Sequence, residues 1–301
     1  MAARWFGDQG HLEGDIESEG MAIIMMRIDA HQHFWKYNSA EHGWMTDEMA
    51  ALRRDFMPQD LKPILDQMGF DGCVAVQVRQ SLEETRWLLE LADTHDFIGG
   101  VVGWVDLCSP ELQDQLEQFA KHPKLVGVRH IVQDEPDDEF MLREDFRRGI
   151  ARLREFGLTY DVLIYPKQLP AAIKLVAEFP EQPFVLDHIA KPQIGEGKIS
   201  PWEEGLRELA KLPNICCKLS GMVTEAKWKQ WKADDFRPYL DVAFEAFGEE
   251  RLMIGSDWPV CMVSSDYKAT IELVTDYLRQ FSDGVRDKIL GANCARFYGV
   301  S

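Results

Sequence analysis

Short apolar runs rich in β-branched residues recur along the chain. They are AIIMMRIDAH (22–31), GCVAVQV (72–78), IGGVVGWVD (98–106), KLVGVRH (124–130), TYDVLIY (159–165), PFVLDH (183–188), NICCKLS (214–220) and RLMIGSD (251–257), eight in all. Most are near-continuous instead of strictly alternating. That is the pattern of strands covered on both faces in a parallel sheet.

Helical periodicity fills the gaps. SLEETRWLLELADTH opens on a capping-box pair, Ser81 and Glu84. SPELQDQLEQFAKH predicts Ser109 as N-cap with Pro110 in the first turn. REDFRRGIARLREFG ends on Gly157, a natural C-cap. LPAAIKLVAEF, SPWEEGLRELAKL and DDFRPYLDVAFEAFG continue the series, and SDYKATIELVTDYLRQF and DGVRDKILGANCARFYG close it. Eight strand–helix repeats in 301 residues predict a (β/α)8 barrel over residues 22–301. A doubly wound sheet would bring a glycine-rich phosphate loop, and neither GxGxxG nor GxxxxGK[ST] occurs. The connection at 34–58 is long, aromatic and charged, and reads as a lid or pocket wall.

Residues 1–21 carry no strand or helix pattern and lack the apolar stretch of a signal peptide; they read as a flexible extension. Net charge is −18, from 33 basic and 51 acidic residues. Such a surface argues against nucleic acid and against anionic membranes as partners. No apolar stretch reaches the length of a membrane span. Six scattered cysteines without a CxxC read as buried thiols in a reducing compartment, which predicts a cytoplasmic protein. A homo-oligomer is compatible with all of this.

In such a barrel the chemistry sits where the strands end. There the sequence puts His31 and His33, then Gln77 and Arg79, Trp104 and Asp106, Arg129 and His130, Asp161 and Tyr165, Asp187, His188 and Lys191, Lys218 and Ser220, and Asp257 and Trp258. His31 and His33, two apart on a strand, face one spot. Four of the eight histidines (31, 33, 130 and 188) fall on this rim. Bland readings stand beside the functional ones. Asp257 reads as catalytic or as a cap of the next helix. Lys218 reads as an ion-pair member or a substrate contact, and Lys191 as a solvated or a substrate-facing residue. Trp35, Trp104 and Trp258 read as pocket walls or core. Asp29 and Asp187 read as residues that orient their neighbours.

RIDAHQHFW, GVRHIVQDE, VLDHIAKP, CKLSGMVTEA and RLMIGSDWPV, in that order on a barrel pattern, resemble the amidohydrolase superfamily. Within it they are similar to the sugar-lactonase branch, which has pyrone-dicarboxylate hydrolases as relatives. The resemblance implies Asp257 as general base, with His31, His33 and His188 polarising a lactone carbonyl. It implies substrate contacts from Trp35, Gln77, Arg79, His130, Lys191, Lys218 and Trp258. Metal-dependent members carry a lysine or glutamate on strand 4 and a histidine on strand 5. Here strand 4 offers Arg129 and His130, and TYDVLIY has no histidine, so a two-metal site is not expected. His31, His33, His188 and Asp257 can hold one Zn²⁺ with an open position; the resemblance implies that hydrolysis can proceed without one, so a metal is compatible with the site and is not expected to be required. The expected substrate is a small sugar lactone of the L-fucono or L-rhamnono type. A carboxylated lactone, a zinc-dependent decarboxylation and a non-catalytic sugar-binding barrel are the alternatives.

Overall fold

The computed structural model describes residues 26–300. The extension expected over residues 1–21 lies outside them. Eight parallel strands form one sheet in sequence order: β1 (Ile28–Gln32), β2 (Gly72–Val76), β3 (Ile98–Gly103), β4 (Leu125–His130), β5 (Thr159–Val162), β6 (Phe184–Leu186), β7 (Ile215–Leu219) and β8 (Leu252–Ile254). The ring closes at its mouth. The Asp257 amide donates to the His31 carbonyl at 2.8 Å and the His33 amide to the Trp258 carbonyl at 2.7 Å. This is the (β/α)8 barrel that the alternation predicts.

The outer helices are α1 (Pro58–Met68), α2 (Leu82–Thr94), α3 (Leu112–Phe119), α4 (Glu144–Leu153), α5 (Leu169–Glu178), α6 (Trp202–Ala210), α7 (Arg237–Phe247) and α8 (Tyr267–Leu278). Two apolar clusters result. One fills the layer between strands and helices. The other lies inside the barrel and joins Ile28, Ala30, Val74, Val76, Val102 and Met253 to Phe297, Tyr298 and Val300 of the C-terminal segment.

Two predicted helix starts differ in detail. Ser81 caps α2 by accepting from the amides of Glu83 and Glu84. Glu84 does not reach back to Ser81; its carboxylate accepts from the amides of Val78 and Arg79 and from the Arg79 side chain. Helix α3 begins after Glu111, not at Ser109, whose hydroxyl caps the preceding turn by accepting from the Glu111 amide. Gly157 ends its segment at φ 70, where only glycine is unstrained.

The long connection after β1 is tied down at several points. Trp35 and Phe56 exchange two backbone hydrogen bonds across its base. Farther along, Glu41 pairs with Arg79 at the end of β2, at 2.5 Å. Among the described residues, no helix is long and apolar enough to cross a membrane.

Candidate active site

Strict alternation would put Asp29, His31 and His33 on one face. A register shift in β1 between Asp29 and Gln32 separates them. Asp29 turns toward α8, where it accepts from the Tyr267 hydroxyl at 3.0 Å and from the amide and hydroxyl of Ser256 at 2.9 and 2.6 Å. Burial pushes its carboxyl up to about 6, against those hydrogen bonds. Asp29 thereby anchors the chain immediately before Asp257.

His31 and His33 remain together, with their Nε2 atoms 3.2 Å apart. Asp257 approaches from β8 in a left-handed conformation, φ 56, and its Oδ1 lies 3.1 Å from His33 Nε2. The Nε2 atoms of His31 and His188 each lie 3.9 Å from the same oxygen. All four residues are buried. Gly255 makes this approach possible, since a Cβ there would sit 2.7 Å from that of His31.

His188 arrives on an unusual backbone. Residues 188–191 take left-handed φ values of 55, 46, 58 and 51 in succession, and none is glycine. Each such residue costs roughly 1–2 kcal/mol, and strain of this kind persists only where packing over-determines it. Here Ile189 and Ala190 are fully buried, and the Ile189 carbonyl accepts from the Trp202 indole. The His188 ring lies against Gly221, where a Cβ would meet its Nδ1 at 2.4 Å. That Nδ1 pairs with the Ser220 hydroxyl at 2.9 Å.

Beneath His31 lies a buried charge network. Its Nδ1 is 3.2 Å from both Asp187 Oδ1 and Lys218 Nζ. Lys218 bridges Asp187 at 3.0 Å and Asp161 at 2.6 Å, and Asp161 also accepts from Tyr298 at 2.8 Å. Arg129 donates to Asp187 at 3.0 Å and to the side-chain and backbone oxygens of Gln77, and lies 3.3 Å from His31 Nε2. Burial alone would raise Asp187; Lys218, His31 and Arg129 outweigh it and hold the carboxyl well below the usual range.

The same balance sets the protonation of the site. Burial would raise Asp257, but His188, the His33 hydrogen bond and His31 overcome it and hold the carboxyl below the ordinary range. Burial lowers His188 to about 4. Burial also lowers His31 well below its ordinary value, with Lys218 and His188 opposing the pull of Asp187.

The donor set fits a cation. His33 Nδ1 lies 2.8 Å from the Val76 carbonyl, a pure acceptor, so Nδ1 carries the proton and Nε2 presents a lone pair. That lone pair faces the Asp257 carboxylate. Two buried acceptors at 3.1 Å require a proton or a metal ion between them. Ligand atoms of His31, His33 and Asp257 all lie within 4.8 Å of one another, and His188 stands beside them.

The remaining predicted residues are placed as follows. Lys191 reaches the rim beside Glu225 and Tyr165. His130 pairs with Glu135 at 2.6 Å, faces the Trp104 indole N–H at 3.5 Å and stacks on Phe140. Arg79 is half-buried between Glu84 and Glu41. Four expected substrate contacts belong to the frame instead. Lys218 is fully buried, with its ammonium held by two buried carboxylates. Gln77 is fully buried and holds Arg129. Trp35 donates its indole N–H to the Arg54 carbonyl and packs on Phe56, which also packs on Trp258. Arg129 and Asp161 are further members of the buried network beneath His31. Their signal was only that each stands near a strand end; that they meet His31 and Lys218 is a matter of barrel geometry.

The Amidohydrolase family's sequence pattern matches residues 28–300. The chain belongs to the amidohydrolase family. It is 40% identical over 286 residues to an L-fucono-1,5-lactonase of Burkholderia multivorans, covering 91% of this chain and 96% of that protein. It is 37% identical over 283 residues to an L-fucono-1,5-lactonase of Burkholderia ambifaria, covering 92% and 97%. The crystal structure of an amidohydrolase from Burkholderia multivorans with bound zinc superposes with a TM-score of 0.89 at 40% identity, covering 92% of this chain and all of that one.

Proposed function

We propose that this family member hydrolyses a sugar lactone, an L-fucono- or L-rhamnono-type ring, to the open aldonic acid. The observation that carries the reading is the convergence of His31, His33 and His188 on the Asp257 carboxylate, in a chain 40% identical to an L-fucono-1,5-lactonase.

Lactone opening needs a base for the attacking water, positive charge at the carbonyl oxygen and a proton for the ring oxygen. Asp257 is ionised and buried among imidazoles, and takes the water's proton. His31, His33 and His188 face the same spot and polarise the carbonyl. The Arg129 guanidinium, 3.3 Å from His31 Nε2, supplies fixed positive charge as the oxyanion forms. Asp257 then returns its proton to the departing ring oxygen. A divalent cation held by His31, His33, His188 and Asp257 would add Lewis-acid polarisation of the carbonyl; in its place a proton on His33 Nε2 separates that nitrogen from the Asp257 carboxylate, and with the imidazolium and Arg129 polarising the carbonyl the cation is not required. His130 and Arg79 shape the wall around the ring. On this reading the enzyme acts in the cytoplasm on the product of a sugar dehydrogenase.

The test is proton release with L-fuconolactone, L-rhamnonolactone and 2-pyrone-4,6-dicarboxylate in parallel. Turnover of either sugar lactone is expected. Turnover of the dicarboxylate alone would sink the substrate assignment, and turnover of none would sink lactone hydrolysis itself.

A further inference from the structure

The left-handed turn that delivers His188 delivers a second side chain with it. A turn with about three residues per revolution brings positions i and i+3 to one side, and here the Lys191 amide donates to the His188 carbonyl at 2.8 Å. His188 and Lys191 therefore emerge together from the end of β6. The loop after β7 meets them. Its Glu225 carbonyl accepts from the Gly195 amide at 2.8 Å, tying the two loops, and its carboxylate faces Lys191.

This ion pair differs from those below the site. Lys191 Nζ and Glu225 Oε1 are 3.7 Å apart, beyond hydrogen-bond length, and both side chains keep some exposure, 16% and 21%. Lys191 also lies 5.3 Å from the centre of the Tyr165 ring, and Glu225 Oε1 lies 3.3 Å from the Thr224 hydroxyl, which donates to the Gly221 carbonyl at 2.6 Å. The pair shares the field of the reacting groups. After burial, Glu225 feels Lys191, Thr224 and Asp257, and His188 feels Asp257, Asp187 and Lys191. A hydroxyl group both donates and accepts. Set between an ammonium that only donates and a carboxylate that accepts, one hydroxyl completes both hydrogen bonds. A carboxylate on the substrate would find Lys191 already neutralised and Glu225 repelling it.

We propose that Glu225, with Lys191, is a specificity-determining pair that reads a ring hydroxyl of the lactone beside the Asp257 carboxylate. The proposal rests on the lactonase reading above and adds to it a residue that the motifs alone did not single out.

Glu225→Gln, Glu225→Ala and Lys191→Met are compared with the wild type on L-fuconolactone and on δ-valerolactone, a six-membered lactone without hydroxyls. Hydrogen bonds to charged groups contribute enough to change affinity about 10- to 100-fold. The preference for the hydroxylated lactone, as a ratio of kcat/KM values, is expected to fall by about that factor, chiefly through KM. An equal loss on both lactones, or no loss, overturns the pair as a specificity element and leaves lactone hydrolysis standing. Failure of the wild type on these two lactones and on L-rhamnonolactone and 2-pyrone-4,6-dicarboxylate as well overturns the lactonase reading and the pair with it. Glu225→Gln keeps the side-chain shape, and thermal melting of each variant identifies any that misfolds. Lys191→Met reads the same pair from its other side.

Discussion

His33 and Asp257, 224 positions apart in the sequence, meet at the seam that closes the barrel. The Asp257 Oδ1 lies 3.1 Å from His33 Nε2, while the His33 amide donates to the carbonyl of Trp258, the residue after Asp257. Closing the barrel and bringing the Asp257 carboxylate to the His33 imidazole are therefore one event. The fold cannot form its β8–β1 seam without bringing the carboxylate to the imidazoles.

Asp257→Asn tests the base. The amide keeps the shape and cannot accept the water's proton. Loss of one general base lowers kcat by about 10²–10⁴-fold. Steady-state kinetics on the best lactone, with circular dichroism to verify folding, reads this out; wild-type turnover in a folded variant would remove Asp257 from its role.

Metal removal tests the work assigned to Arg129. Protein stripped with a strong chelator, and verified metal-free by elemental analysis, is expected to retain most of its lactonase activity. Activity that disappears with the metal and returns on adding Zn²⁺ would transfer carbonyl polarisation from Arg129 and the imidazoles to the ion.

Lys218→Met tests the buried network. The methionine fills similar volume but leaves Asp161 and Asp187 without their shared ammonium. Stranding a buried charge costs about 3–5 kcal/mol. Denaturant titration should show a loss of that size. A loss below about 1 kcal/mol, the range of surface ion pairs, would mean that the network contributes little to holding His31.

The pH profile tests the electrostatics. Burial lowers His188 to about 4, so the folded protein keeps it neutral through the weakly acidic range, whereas an unfolded chain would protonate it near 6.5. Below the folded value an imidazolium would form 3.9 Å from Asp257 and weaken the carboxylate as a base. The expected kcat/KM profile is flat from about pH 5 to 8, with an acid limb nearer 4. An acid limb near 6.5 would mean that His188 behaves as an ordinary exposed histidine. Stability follows the same sign. The folded pKa is depressed, so this contribution is present above about 6.5 and is lost as pH falls toward 4.

The hydrophobic pattern along the chain was enough to specify the barrel and the residue types at its strand ends. Eight near-continuous apolar runs, separated by amphipathic stretches, can bury both strand faces only in a parallel sheet wrapped by helices. That architecture puts His31, His33, His188 and Asp257 at the strand ends whatever the side-chain details. What each rim residue faces depends on how the eight strands come together. Lys218 reads equally as an ion-pair member or a substrate contact because position in a strand reports the end it lies near, not the charges across the barrel; Asp161 and Asp187, from two other strands, hold its ammonium in ion pairs. Asp29 departs from the face of His31 because of a register shift, and period-two alternation cannot encode an inserted residue. The four left-handed residues at 188–191 are invisible to propensity, since none is glycine. Their conformation is imposed by the burial of Ile189 and Ala190, by Trp202 and by the space that Gly221 leaves for the His188 ring. These are contacts between segments far apart in the chain, and a local pattern holds no information about distant partners until the ring has closed.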